Sequence, residues 1–378
     1  MPPVAQGSSI CHMAFLSAAP FTWPQSAAHR MGNKHMIKRS WVAAALLAGI
    51  ASSAISASPA PAYRVTDKIA GADGGWDYAK VDSVRGMLYV ARSNAVMAVD
   101  LATRKVTDAL TSAEGGHQVL VLDNGATLVE TDGKSNQTRF IDAAGGKVLA
   151  SIPTGRKPDA AFYDAANNRI AVMSPGDDTI TSIDAKTRAV TGTMKLAGGL
   201  EFAVSNGRGG AFVNLEDENK IAEVDLKAGK LLRKIAMPGC VGPTGLASIA
   251  GGKKLISACA NGVAVVADAA SGKVLARLPT GKDADAVIVD DARHLVFIPC
   301  GGNGTLVALD IRDADHVKVA QVIPTQVGAK TGALDPRDGR VYLPAATLAA
   351  PEPGAKRGKP VPGSFVILVV SPVVSAGA

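Results

Sequence analysis

Aromatic residues, cysteines and histidines are scarce in this sequence, and each shortage excludes a kind of site. Aromatic residues make up 4% of the 378 residues, and Trp76 is the only tryptophan after residue 57, so no tryptophan repeat is present that could stack a quinone. The four cysteines form no C-x-x-C pair, which disfavours a cysteine-ligated zinc site and excludes C-x-x-C-H haem attachment. No Ser-His-Asp order, nucleophile elbow or phosphate-binding glycine loop occurs, so the sequence carries no catalytic signature.

Long apolar runs are also missing, and none reaches the roughly 20 residues that cross a bilayer. A shorter run, Trp41–Ile50, follows Lys38 and Arg39 and precedes small residues that end at Ala57. This order predicts a secretory signal peptide over 36–57 and a periplasmic or secreted protein. Because a signal peptide begins at the N-terminus, we expect the start at Met31 or Met36 and interpret 1–35 as upstream sequence.

The positive charge of the chain is mostly a property of this leader. The net charge is +7, but residues 1–57 hold four basic side chains and no acidic one, which leaves 36 basic against 33 acidic side chains. Nucleic-acid binding normally needs clustered Lys and Arg. One short cluster exists, and it predicts at most an anion or nucleic-acid patch formed by Lys356, Arg357 and Lys359.

Apolar segments that end in aspartate recur along the rest of the chain. The intervals between these aspartates are 42, 42, 41, 43 and 42 residues, and the aspartates are Asp100, Asp142, Asp184, Asp225, Asp268 and Asp310. Each aspartate opens a turn, because its carboxylate can accept hydrogen bonds from backbone amides two residues further on. Residues 146–164 and 272–290 are also closely similar at a separation of 126 residues, which is three repeats.

Each repeat reads as four short strands, which predicts an all-β, seven-bladed β-propeller of four-stranded antiparallel blades. In the third unit the strands a to d are predicted over 159–163, 169–173, 179–184 and 189–195. The blades are expected at 74–116, 117–155, 156–199, 200–240, 241–281, 282–326 and 327–372. A linker (58–62) and a tail (373–378) flank this single domain of 63–372.

Ring closure is predicted to involve both ends of the domain. The seventh unit has only three strands, at 330–334, 340–344 and 365–370, and its outer strand is expected to come from Tyr63–Ile69. That exchange would remove an exposed sheet edge.

Units such as KVLASIPTGRKPDAAFYDAANNRIAVMSPGDDTITSID resemble the YVTN-repeat propellers, the YncE-like group of exported proteins. The resemblance covers about 63–372. It implies a seven-bladed propeller outside the cytoplasm, and it is weak on function, because some members are linked to nucleic-acid binding and fold relatives include sugar lactonases. The sequence departs from the group in a Pro-rich, basic insertion at 346–363.

The alternation of strand direction assigns the connections to two faces. The d–a and b–c connections share one face, here called the loop face, and the a–b and c–d turns share the other, the turn face. The loop face gathers the irregular segments, including 174–178, 215–219 and 346–363. Loops on a rigid scaffold commonly carry binding residues, so we expect a ligand or a protein to bind at the loop face.

Strand a enters the channel from the loop face, and one position of each strand predicts a polar ring at the channel mouth. We call these seven residues the collar: Asp77, His117, Asp159, Glu201, Thr244, Asp285 and Lys330. Four carboxylates in a shared volume should raise one another's pKa or attract a cation. Three interpretations stay open: a water-filled collar, a site for a divalent cation or cationic ligand, and acid–base catalysis. The acidic loop 216–219 lacks the pattern of a calcium loop.

The cysteines and the tryptophan add further predictions. Cys240 and Cys259 flank one hairpin, so oxidation would join them, with Cys300 as the competing partner of Cys259. Trp76, beside the collar, could stack on a ligand or pack in the core. His294 and His316 are interpreted as surface residues.

The favoured function is a non-enzymatic, monomeric exported scaffold without a bound cofactor or a membrane span. A metal-assisted, lactonase-like hydrolase and a nucleic-acid-binding propeller are the alternatives.

Overall fold

The computed structural model describes residues 61–354 and 358–373. The predicted signal peptide, the upstream sequence and most of the predicted linker and tail lie outside these residues, as do Lys356 and Arg357. In the described part, none of the helices is long and apolar enough to span a membrane.

Seven four-stranded antiparallel sheets make up the described chain. Blade 1 contains β2 (Trp76–Asp82), β3 (Met87–Arg92), β4 (Ala95–Asp100) and β5 (Val106–Ser112). Blade 2 contains β6 (Gly116–Leu122), β7 (Thr127–Asp132), β8 (Gln137–Asp142) and β9 (Val148–Pro153). Blade 3 contains β10 (Ala161–Asp164), β11 (Arg169–Ser174), β12 (Thr179–Asp184) and β13 (Val190–Lys195). Blade 4 contains β14 (Leu200–Ser205), β15 (Gly210–Leu215), β16 (Lys220–Asp225) and β17 (Lys230–Ala236).

The remaining blades follow the same order. Blade 5 contains β18 (Pro243–Ile249), β19 (Lys254–Cys259), β20 (Val263–Asp268) and β21 (Val274–Pro279). Blade 6 contains β22 (Ile288–Asp290), β23 (Leu295–Cys300), β24 (Thr305–Asp310) and β25 (Lys318–Pro324). Blade 7 contains β26 (Ala333–Leu334), β27 (Val341–Ala345), β28 (Val366–Val373) and β1 (Ala62–Ala70). Single turns of 3-10 helix occur at Asp123–Gly125, Ala165–Asn167 and Glu216–Glu218.

The sheets close into a ring. Each innermost strand contacts the innermost strand of the next blade, and β26 of blade 7 contacts β2 of blade 1. Strand β1 pairs antiparallel with β28 from Ala62 opposite Val373 to Ala70 opposite Val366. The predicted closure by the N-terminal strand and the predicted count of seven blades are therefore confirmed.

The hydrophobic core is divided among the interfaces between blades. In the described residues, seven clusters of buried apolar side chains lie one between each pair of neighbouring sheets. Tyr63 of β1 is almost fully buried and packs edge-on against Phe297 of blade 6, with the ring centroids 4.8 Å apart. The Gln321 side chain accepts a hydrogen bond from the Tyr63 amide and donates one to its carbonyl, each at 2.8 Å. The closing strand is thus bound to blade 6 as well as to blade 7.

The repeated aspartates form the predicted turns. Asp100 accepts hydrogen bonds at 2.9 Å from the amides of Ala102 and Thr103, and Asp184 accepts them from Lys186 and Thr187. Such local bonds give the turn amides an acceptor and so favour the turn conformation.

Two strand predictions were wrong at the loop face. Strand a of blade 3 begins at Ala161 rather than at Asp159, and the first strand of blade 7 is only Ala333–Leu334 instead of 330–334. In both blades the chain near the axis is irregular. The Asp159 amide still donates to the Met173 carbonyl at 2.9 Å, but the regular ladder starts two residues later.

Candidate ligand site at the channel mouth

A cavity of about 550 Å³ opens at the loop-face end of the channel and is called the mouth cavity. Six of the seven collar residues line it: Asp77, Asp159, Glu201, Thr244, Asp285 and Lys330. The b–c loops of blades 4 and 5 add Glu216 and Ala260, and the connection into blade 6 adds Asp283 and Ala284. The predicted gathering of collar residues at one end of the axis agrees with this arrangement.

β-Bulges aim the collar side chains into the channel in four blades. The pairing of the innermost strand with its neighbour slips between Trp76 and Ala79, and between Gly116 and Val119. The same slip occurs between Leu200 and Ala203 and between Pro243 and Leu246. A bulge leaves residues unpaired and redirects their side chains. The collar residues of blades 1, 2, 4 and 5 lie in these slips.

His117 lies between two carboxylates of the collar. Its Nδ1 is 2.8 Å from Oδ2 of Asp77 and 3.8 Å from Oδ2 of Asp159. The hydrogen bond with Asp77 is the main cause that raises the pKa of His117 to about 9, and Asp159 adds to it. The imidazole is therefore protonated at neutral pH and offsets part of the negative charge.

A second ion pair lies in the same cavity. The Lys330 ammonium donates to Oδ2 of Asp285, and both side chains are largely buried. Lys330 is the only basic side chain among the described residues that line the mouth cavity, against six acidic ones. The lining is thus acidic even with this pair formed.

Burial and mutual repulsion raise the pKa of two of the acids. Burial, followed by repulsion from Asp159 and Asp285, raises the pKa of Glu201 from 4.5 to about 9. Burial, followed by repulsion from Asp77, raises the pKa of Asp159 to about 7. Glu201 is consequently neutral at pH 7, and Asp159 is near its midpoint. A bound cation would favour the charged form of both acids.

Hydrogen bonds from neighbouring blades fix the collar backbone. The hydroxyl groups of Thr331 and Thr131 donate to the carbonyls of Asp77 and Asp159 at 2.7 and 2.6 Å. The Asn214 side chain donates to the Thr244 carbonyl at 2.8 Å. These donors belong to the preceding blade in each case, and the bond from Thr331 of blade 7 to Asp77 of blade 1 forms only in the closed ring.

Tyr78 and Phe202 separate the mouth cavity from the rest of the channel. Their rings pack with centroids 5.2 Å apart, and the Tyr78 hydroxyl donates to the Asp285 carbonyl at 3.1 Å. Beyond them, at the turn face, lies a second cavity of about 930 Å³, here called the far cavity, which Tyr78 and Phe202 also line. Its lining includes Phe162, Ile288 and Leu334.

Some site residues were missed by the sequence reasoning, and two predicted residues, His117 and Trp76, do not line the mouth cavity. Tyr78, Glu216 and Asp283 line the mouth cavity, although the acidic loop that contains Glu216 was not part of the predicted ligand site. Trp76 was included in the predicted ligand site, but it does not line the described cavity. Its ring packs against Phe365, 5.6 Å away, in the core between blades 1 and 7.

The disulfide pairing favoured by the sequence is the one present in the structure. Cys240 and Cys259 form a disulfide bond with Cα atoms 5.5 Å apart, next to Ala260 of the cavity wall. Cys300 is a free, buried thiol, and burial raises its pKa to about 11. It is therefore unreactive at neutral pH.

The predicted basic patch is described only in part. Lys359 donates to Glu352 at 2.8 Å, and both side chains are exposed. Lys356 and Arg357 lie outside the described residues.

The described chain is a seven-bladed β-propeller, and solved structures support this class. A chain of Kuenenia stuttgartiensis hydrazine synthase matches with a TM-score of 0.63 at 16% identity, over 72% of this chain and 93% of that one. U3-55K matches with a TM-score of 0.65 at 11% identity, over 80% and 97%. A chain of the mitotic checkpoint complex matches with a TM-score of 0.64 at 13% identity, over 82% and 96%.

Similarity at these identities establishes the fold alone. No family model matches the sequence, and no curated protein matches it.

Proposed function

We propose that this propeller is an exported binding protein that takes a small cationic ligand in the mouth cavity. One observation carries the proposal: six carboxyl side chains and a single lysine share a cavity of about 550 Å³. That volume is in the usual range for small-molecule sites. Burial, followed by repulsion from Asp159 and Asp285, raises the pKa of Glu201, and an ammonium or metal ion would offset the repulsion,.

Calorimetric titration with spermidine at low ionic strength tests this proposal. The wild type should bind one equivalent, and Asp159→Asn should weaken the affinity clearly, because it removes a carboxylate from the cavity. The matched control is Asp225→Asn, which removes an exposed turn acid whose carboxylate accepts the amides of Lys227 and Ala228. Absence of binding, or equal weakening by both variants, would contradict the proposal.

Export and the YVTN-repeat resemblance belong to the same proposal. The supporting observations are the apolar segment after Lys38 and Arg39 and the disulfide bond, since disulfides persist in oxidising compartments. Mass spectrometry of the protein from a periplasmic or secreted fraction should give a mature N-terminus near residues 58–63. A mature chain that still contains Lys38 would contradict export.

A protein partner at the loop face is compatible with this site, and one neighbour in fold is part of the mitotic checkpoint complex.

A metal-assisted hydrolase is the second candidate, because His117 lies between two carboxylates. A pH-stat assay with a sugar lactone and added manganese tests it, and no acid release above the buffer rate would exclude this substrate. Nucleic acid is disfavoured, because phosphates would approach an acidic cavity and Lys359 is already paired with Glu352.

A further inference from the structure

We propose that Asp77, His117 and Asp159 form a divalent metal site on one side of the mouth cavity, suited to Zn²⁺ or Mn²⁺. The inference deepens the proposed function, since it names a cation class and the three residues that would hold it. In the described residues, one potential ligand atom from each of these side chains lies within 4.8 Å of the other two.

The separations of these atoms fit coordination to one ion. Ligands at the usual zinc distances, arranged as a tetrahedron, lie about 3.4 Å from one another. The His117 nitrogen is 2.8 Å from the Asp77 oxygen and 3.8 Å from the Asp159 oxygen, on either side of this value. The Asp77 and Asp159 oxygens lie within 4.8 Å of each other, so all three ligand atoms can surround one ion.

The ligand set also indicates which ions would bind. One imidazole and two carboxylates suit Zn²⁺ and Mn²⁺, whereas Ca²⁺ prefers six to eight oxygen ligands. Three protein ligands leave further positions for water or a ligand. Asp77 and Asp159 line the mouth cavity, so these open positions would face it.

Neighbouring groups fix the backbone of two of the three residues and leave room for the side chain of the third. The backbones of Asp77 and Asp159 are held by the Thr331 and Thr131 hydroxyls. Gly133 leaves room for the imidazole, because a Cβ there would lie 2.8 Å from Nε2 of His117. These contacts fix the positions from which the ligand side chains project into the site.

An independent observation points to a missing partner at the same place. Oδ1 of Asp77 is buried, and among the described residues it has no hydrogen-bond partner. A buried carboxylate oxygen without a donor is costly. A cation beside Asp77 would supply the interaction that the protein leaves out.

A surface pair provides a matched control. Nδ1 of His316 is 2.8 Å from Oδ2 of Asp313, the same separation as in the His117–Asp77 pair. This pair is exposed, and among the described residues only the triad at the mouth brings three potential metal-ligand atoms within 4.8 Å of one another. His316→Gln therefore removes an equivalent His–Asp contact without touching the proposed site.

The test is calorimetry of the untagged, chelator-treated protein with Mn²⁺ and Zn²⁺, with Co²⁺ absorption as a spectroscopic readout. We expect one equivalent to bind, and His117→Gln and Asp159→Asn each to weaken binding by at least roughly tenfold, with loss of the visible Co²⁺ bands. His316→Gln and Cys300→Ser should bind as the wild type does. Thermal melts of all variants establish that they fold. If His117→Gln does not fold, Asp77→Asn replaces it as a ligand variant.

Two results would overturn the site. One is the absence of metal binding by folded wild type. The other is binding that survives all the triad variants, or that disappears in Cys300→Ser and thereby identifies a thiol ligand. Spermidine binding in the presence of either result would leave the broader cation proposal standing, so the two failures can be told apart.

Discussion

At the mouth of the channel the carboxyl groups share one cavity. On the turn face, by contrast, each of the six repeated aspartates accepts hydrogen bonds from the backbone amides of its own turn. Bonds from the Thr103 and Ser271 amides lower the pKa of Asp100 and Asp268. Burial and repulsion raise the pKa of Glu201 and Asp159 in the mouth cavity. Acidic side chains thus stabilise turns at the turn face and repel one another in the mouth cavity.

The difference shows at which end of the channel a bound cation would be most stabilising. A turn aspartate already has its donors, so a ligand gains little there. The mouth carboxyls have neighbours of the same sign, and a cation would relieve that repulsion. The channel between the two ends is divided by Tyr78 and Phe202, which separate the acidic mouth cavity from the far cavity, whose lining mixes apolar and polar side chains.

The largest effect is expected from a variant that opens the ring and so disturbs both ends at once. Ile69 of β1 is buried between blades 7 and 1. Ile69→Lys should lower the free energy of unfolding by about 3–4 kcal/mol, because it buries an unpaired charge. Denaturant titration measures this loss, and Ala70→Lys, at the adjacent exposed position, is the control. Equal stability of the two variants would contradict the closing role of β1.

A smaller loss is expected from joining the two cavities. Tyr78→Ala removes the buried ring between them and should cost about 3 kcal/mol. Tyr78→Phe keeps the ring and loses only the hydrogen bond to the Asp285 carbonyl, so it should cost about 1 kcal/mol. The same denaturant titration compares the two variants. If they are equally unstable, the ring does not act as the partition described here.

The smallest changes in the free energy of unfolding are expected from replacing single acids. At pH 8 these changes should have opposite signs at the mouth of the channel and at the turn face. As pH rises from about 4.5 to about 9, the unfolded chain releases the Glu201 proton while the folded protein keeps it, so stability falls,. Glu201→Gln removes this loss and should stabilise the protein at pH 8 by roughly 1–3 kcal/mol, with little change at pH 4.

The turn-face counterpart is Asp268→Asn. The lowered pKa of Asp268 contributes stability above its unfolded value, and that contribution is lost as pH falls,. Asp268→Asn should therefore destabilise the protein at pH 8. Thermal melts across this pH range measure both variants, and a destabilising Glu201→Gln at pH 8 would refute the contrast.

The repeat made the ring and the collar predictable, because a period of about 42 residues fixes the blades and one position in each innermost strand fixes the mouth. The contact between His117 and Asp77 was not predictable, since it depends on bulges that redirect the side chains. Glu216 and Asp283 were missed because loops bring them to the cavity from outside the strand pattern. The sequence left Trp76 open between the ligand site and the core, because the side on which a residue next to a bulge packs is not encoded in spacing.

Anomalous diffraction from crystals soaked in manganese chloride tests the central claim most directly, since it locates cations without assumptions about affinity. The account predicts the strongest peak in the mouth cavity, in contact with Asp77, His117 and Asp159. Peaks confined to exposed acidic turns, with an empty mouth, would contradict it.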